Sequence, residues 1–357
     1  MSLCLVWIIA LAATWWSSAQ AADTSVQIGT VIALSYSTNG NLLAAGDAMG
    51  HLAVYRIEDG APAASFARRE LTDGIPDRIL ALRFSPDDKR LVVASEVAVQ
   101  IFDATSGTKL RSIPYSTTIA TLSADSAFVA FREDDRVTVL DVSSGQKLYS
   151  FATALGYPAT LAFSPDRRLL AVGARETIIT VGAPPPHGVP SGDLEVFDLP
   201  SGHLQVLKAV SPWFSSVGFS LDSSRVAAIT FAHVAGTALN DYRNTALNLW
   251  EISSGDPALQ EALRDDTSFY SFLSFVGSSG TIVATSGASW GGDIAIIDTG
   301  NGRITHGAPF DIGAIFSAAL APSGHAVAIG MLRGVQVREI PSRRLLMTIG
   351  LPPRDRH

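Results

Sequence analysis

The sequence predicts an all-β chain, a seven-bladed β-propeller of four-stranded antiparallel blades, and three observations carry that prediction. A strand-and-turn pattern recurs seven times at units of about 38 to 56 residues. No stretch sustains a helical period. The chain is also apolar enough, with 47% hydrophobic residues in 357, to bury both faces of each sheet against its neighbours, as blades in a ring require.

Each unit opens on an apolar strand that ends in an aromatic or leucine and runs into a turn. The seven stretches are Leu34 to Gly40, Leu82 to Asp88, Thr121 to Ser126, Leu161 to Arg167, Val217 to Ser223, Leu273 to Ser278 and Ala319 to Gly324. In Ser85-Pro86-Asp87 and Ser164-Pro165-Asp166 the proline presets φ, and the aspartate can bond its own downstream backbone. Units three and six depart most from this turn. A second apolar strand follows, as at Leu42 to Gly46 and Leu169 to Gly173. The third strand alternates with period two and mostly closes on a large residue and an acid, as in Phe102-Asp103, Phe197-Asp198 and Trp250-Glu251. A turn of Ser-Gly type (Ser106-Gly107, Ser144-Gly145, Ser201-Gly202, Ser254-Gly255) leads to a short fourth strand, such as Leu110 to Ile113 or Leu345 to Ile349.

The Phe84–Asp87 and Phe163–Asp166 turns, the acid after an aromatic on the third strand and the Ser-Gly turn together resemble the WD-repeat family, over about residues 26 to 349. The departures are specific. Only Trp250 holds the family's tryptophan position, with Glu251 in place of the aspartate, and no Gly-His dipeptide precedes a first strand. The family's Asp-His-Ser-Trp hydrogen-bond network is therefore not expected. The resemblance implies that an N-terminal strand completes the last blade. Val26–Ile28 suits that role, but Leu345–Ile349 also reads as a fourth strand, and both closures stay open.

Composition narrows the function classes. The net charge is −7 and there is no long run of Lys or Arg, so a nucleic-acid footprint is lacking. Leu3 to Trp16 is apolar apart from Thr14, and Ala19-Gln20-Ala21 fits a small-x-small cleavage site. A signal peptide over residues 1–21 is expected, leaving 22–357 as a single periplasmic or secreted propeller with no integral membrane segment. No Lys or Arg precedes the apolar run, so a retained anchor is the rival reading. Cys4 is the only cysteine; cleavage would remove it, and with it any disulfide, thiol nucleophile or cysteine metal site.

Motifs for chemistry are sparse. Gly287-Ala288-Ser289-Trp290-Gly291 satisfies Gly-x-Ser-x-Gly, a strained strand-to-helix turn that exposes a serine nucleophile. Here Asp293–Asp298 reads as a strand, so a glycine-rich hairpin loop is expected. His51, His187, His203, His233, His306 and His325 are scattered singly, and no metal, cofactor or catalytic residue is assigned.

The functional expectation is geometric. In a propeller of the WD-repeat type, the second-to-third and fourth-to-first connections share one face. The long connections fall there: Glu176 to Asp193 with His187, Phe231 to Thr245 with Tyr242 and Arg243, and Gly287 to Asp293 with Trp290. Tyr157, Trp213-Phe214 and Phe269-Tyr270 precede the first strands of blades four to six on the same face. Aromatic and arginine side chains are enriched at interaction hot spots. These nine residues form the candidate binding face, with core filling by Phe214 and Tyr270 as the competing reading. The chain is read as an exported, non-catalytic scaffold that binds a protein partner. The alternative is a propeller enzyme, or a small-molecule or carbohydrate sensor, with its site at the central channel mouth.

Overall fold

A computed structural model describes residues 29–64, 66, 77–155, 158–174, 192–233, 242–264, 270–277, 280–288, 291–306, 314–332 and 334–350. Among them there is no helix, and the strands form seven separate four-stranded antiparallel sheets in the order first, second, third, fourth. The first strands are Val31–Tyr36, Ile79–Phe84, Ala120–Leu122, Pro158–Phe163, Trp213–Phe219, Tyr270–Val276 and Ser317–Leu320. Each packs against the first strand of the next blade, and the seventh packs against the first. First strands therefore surround the axis. Fourth strands such as Lys109–Pro114 make the rim, with most of their side chains exposed.

The core is divided among the blade junctions. Seven buried clusters each join two adjacent blades, and one joins Val31, Leu43 and Tyr55 of blade one to Ala328, Val335 and Ile349 of blade seven. Removing apolar surface at these junctions drives assembly, at roughly 1.5–3 kcal/mol for each fully buried aliphatic or aromatic side chain.

One local device recurs at the junctions. Five first strands carry a register shift just after their start, at Val31/Ala33, Ile79/Ala81, Pro158/Thr160, Phe214/Ser216 and Tyr270/Phe272. Such a bulge inserts an extra residue and reverses the alternation beyond it. Val31, Ile79, Phe214 and Tyr270, each five residues before the aromatic that ends its strand, are consequently buried completely. Three of them fill the space over a glycine in the second strand of the preceding blade. A Cβ on Gly46 would lie 2.7 Å from Ile79, one on Gly173 2.8 Å from Phe214, and one on Gly330 2.9 Å from a Val31 methyl. At these three positions only glycine admits the neighbour.

The ring closes through that same packing. Leu345–Gly350 is the fourth strand of blade seven, paired to Gly334–Glu339, so every blade comes from one contiguous stretch. Val26–Ile28 lies outside the described residues. The Ser317 hydroxyl donates to the Val31 carbonyl at 2.9 Å across the seam. Trp250 is buried, and its indole N–H donates to the Lys208 carbonyl at 3.3 Å.

Candidate functional site

Antiparallel pairing gives the ring two unlike faces. The lower face holds the first-to-second and third-to-fourth turns, and both are short and chemically uniform. In the first type a serine hydroxyl donates to the carboxylate two residues on and accepts an N–H five residues on. Ser85, Asp87 and Arg90 do this in blade two, Ser123, Asp125 and Phe128 in blade three, and Ser220, Asp222 and Arg225 in blade five. The fourth turn residue is left-handed: Asp88, Ser126, Arg167 and Ser223 all have φ near 60°. Blade three, which departs in sequence through Ala124, makes the same turn, because the geometry needs Ser123 and Asp125 but not the proline. In the second type the acid ending the third strand caps the turn. Asp103 accepts from the Ser106 N–H and hydroxyl, and Asp198 does so from Ser201. The acid after the aromatic is thus a turn cap.

These bonds lower the acidity constants of the carboxylates that receive them. The Ser220 hydroxyl, then the Ser224 N–H and hydroxyl, hold Asp222 down to about 2. Asp87 is lowered first by Ser85, and Asp198 first by Ser201. The turns also tie blade to blade: the Thr38 and Asn39 N–H groups donate to Asp88, Arg167 pairs with Asp125 at 3.0 Å, and the Asp166 N–H donates to Ser223. The lower face is thereby fastened into a ring and has little freedom to vary. A cleft of about 280 Å³ between blades five and six opens on it, lined by Leu221, Arg225 and Phe275 among others.

The upper face differs. Its hairpins in blades five and six, Arg225–His233 with Tyr242–Glu251 and Thr281–Ala288 with Gly291–Asp298, run 8 to 10 residues per strand, where the equivalent strands of blade two have 6. They rise beyond the neighbouring blades. Tyr242 and Arg243 stand at the top of the first hairpin, paired with His233 and Ala232. In the second, Ala288 pairs with Gly291 and Gly287 with Gly292, and a strand follows. The Gly-x-Ser-x-Gly stretch is therefore a hairpin tip and not a strand-to-helix elbow. Trp290, Tyr157, His187 and Phe269 lie outside the described residues. Trp213 is half-buried at the start of its strand.

Phe214 and Tyr270 do not contribute a surface. Phe214 is enclosed between blades four and five, and Tyr270 between blades five and six. The bulge described above turns them inward. The Tyr270 hydroxyl lies 3.2 Å from the Asp293 carboxylate and 3.2 Å from His306 Nδ1, and His306 Nδ1 lies 3.1 Å from Asp293. Asp293 is nearly inaccessible, and its own N–H donates to the Ser286 hydroxyl at 3.0 Å. This polar knot pins the base of the raised blade-six hairpin. Among the described residues no group of three or more His, Cys, Asp or Glu is placed to hold a metal ion.

What the sequence reading missed on this face is apolar. Met49, Val97 and Leu332, on the second-to-third turns of blades one, two and seven, and Phe316, just before the first strand of blade seven, are 39 to 59% exposed. These blades are adjacent, so the low sector of the upper face is apolar and the high sector is built of long hairpins. Among the described residues Leu221 is the one large apolar side chain so exposed on a lower-face turn.

Comparison with known proteins bears on the fold. No protein-family model matches the chain, and no curated protein does. Among solved structures 1560 chains are similar. One is a chain of hydrazine synthase from Kuenenia stuttgartiensis, with a TM-score of 0.62 and 15% identity over 80% of this chain and 90% of that one. The chain is a seven-bladed β-propeller. At that identity the likeness extends to architecture alone, and a fold shared so widely hosts unrelated functions.

Proposed function

We propose that this chain is an exported, divergent propeller of the WD-repeat type, and that it is a non-catalytic scaffold whose upper face binds a protein partner in the periplasm or outside the cell. The observation that supports it most directly is the exposure of Met49, Val97, Phe316 and Leu332 on one sector of that face, opposite a lower face of capped polar turns. Large exposed side chains clustered on adjacent loops are typical of interaction sites. The raised hairpins of blades five and six would form the other wall of a stepped surface. Export rests on the apolar run Leu3 to Trp16 and Ala19-Gln20-Ala21; N-terminal sequencing of the protein recovered from the periplasm should begin at Ala22.

The test of the scaffold reading compares the two faces. Phe316→Glu with Leu332→Glu should abolish stoichiometric capture of a partner from periplasmic extract, while Leu221→Glu should leave it intact. Equal capture by all three proteins, or loss on both faces alike, would remove the upper face from consideration.

A further inference from the structure

One residue of the axis stands apart from the scaffold reading. The side chains one position before the aromatic or leucine that ends each first strand are Ser35, Arg83, Thr121, Ala162, Gly218, Ser274 and Ala319. Six are small, as the crowding of seven strands around an axis favours. The seventh is arginine, the one charged residue on the described first strands. Its neighbours Leu82 and Phe84 are buried against blade one, while Arg83 itself is exposed. We infer that the central channel is a binding site for a small oxyanion, a carboxylate or phosphate group, held by the Arg83 guanidinium near the lower mouth.

Three observations carry this beyond the placement. First, Arg83 is accessible to water and yet so enclosed by protein that desolvation lowers its acidity constant, with Asp125 acting in the opposite sense. Exposure and enclosure coincide in a lumen and not on an outer surface. Secondly, among the described residues its guanidinium has neither a hydrogen bond nor an ion pair. Asp125, the carboxylate that acts on it, is occupied: it pairs with Arg167 at 3.0 Å and accepts from the Ser123 hydroxyl and the Ala127 N–H. The group of Arg83, Asp125 and Arg167 therefore carries a net positive charge inside a chain of net charge −7. An enclosed charge without its own counter-ion is costly, and it calls for a ligand of opposite sign. Thirdly, the small side chains at the same level leave room beside Arg83. The planar fork of donors that guanidinium presents matches the geometry of carboxylate and phosphate oxygens.

Inorganic phosphate and succinate distinguish the two sources of that chemistry. Calorimetric titration of the purified chain with each should show saturable binding of at least one, weakened at least tenfold in Arg83→Gln and less in Arg83→Lys. Binding of phosphate alone or of succinate alone identifies the group. Absence of binding by both at 10 mM (a ceiling on the order of 3 kcal/mol of affinity) overturns the inference, as does unchanged binding by folded Arg83→Gln. If that variant fails to fold, phenylglyoxal modification of Arg83 in the unaltered chain decides. The bound anion should slow its reaction several-fold relative to Arg56, an exposed rim arginine, and an equal rate with and without anion overturns the site.

Discussion

At the scale of the single residue, the lower-face turns show which parts of the sequence signal are physical. Serine and the acid two positions later make the turn, and proline only biases it. Blade one supplies an internal control: Asn39 takes the carboxylate's place, accepting from the Ser37 hydroxyl and the Asn41 N–H, both at 2.8 Å. A carboxylate held at about 2 when folded, below its ordinary 3.8, contributes stability that is present above the ordinary value and lost as pH falls from about 4 toward about 2. Asp222→Asn should therefore keep neutral-pH stability and flatten that part of the acid limb, whereas Asp222→Ala should cost about 1 kcal/mol at pH 7, exposure to solvent having reduced the effect. Thermal melts between pH 7 and pH 2.5 read both. A different residue marks where sequence counting fails. Phe214 reads as a surface aromatic because strand alternation counted back from Phe219 sends it outward. The bulge at Phe214/Ser216 reverses the parity and buries it over Gly173. Phe214→Ala should accordingly cost roughly 3–5 kcal/mol of stability in denaturant titration, and a loss under 1 kcal/mol would refute the core assignment.

At the scale of the element, strands and their order were legible because alternation, Ser-Gly turns and acid caps repeat with the blade. The lengthening of the blade-five and blade-six hairpins was legible as extra sequence. The polar groups inside the third strands were not, since their meaning lies in a neighbouring blade. Asn248, fully buried, accepts the Val210 N–H at 3.1 Å and donates to the Thr230 hydroxyl at 2.8 Å. Three residues before the acid of its own strand, Glu195 likewise accepts the Ala154 N–H at 3.0 Å. Each thus anchors the chain leaving the preceding blade's fourth strand, and each does so across a junction. Asn248→Leu would strand a buried N–H and hydroxyl, costing about 1–3 kcal/mol. Amide exchange should quicken at Val210 and along Leu204–Lys208 and stay unchanged in blades one and two; a uniform increase over the ring would contradict a local tie.

At the scale of the whole molecule, contiguous blades raise the question of what keeps the ring shut. Six junctions are crossed by the chain itself. The seventh, between blades seven and one, has packing, the Ser317–Val31 bond and nothing covalent. The sequence left this seam undecided because two segments had the strand pattern, and only pairing registers separate them. Its glycine is also the tightest of the three equivalent positions: a Cβ on Gly330 would stand 2.7 Å from the Val31 carbonyl, while one on Gly46 meets only the Ile79 side chain. A side chain can rotate away and a backbone carbonyl in a strand cannot, so the same substitution should act differently at the two sites. Overpacking costs typically about 1–3 kcal/mol. Gly330→Ala should fall at the upper end, opening the seam and speeding exchange in Val31–Tyr36 and Ser317–Leu320 ahead of global unfolding. Gly46→Ala should fall at the lower end, its effect confined by the connection that joins blades one and two. If Gly330→Ala instead unfolds all seven blades in one step with no early exchange at the seam, closure is as cooperative as the linked junctions, and the absence of a shared strand has no energetic consequence.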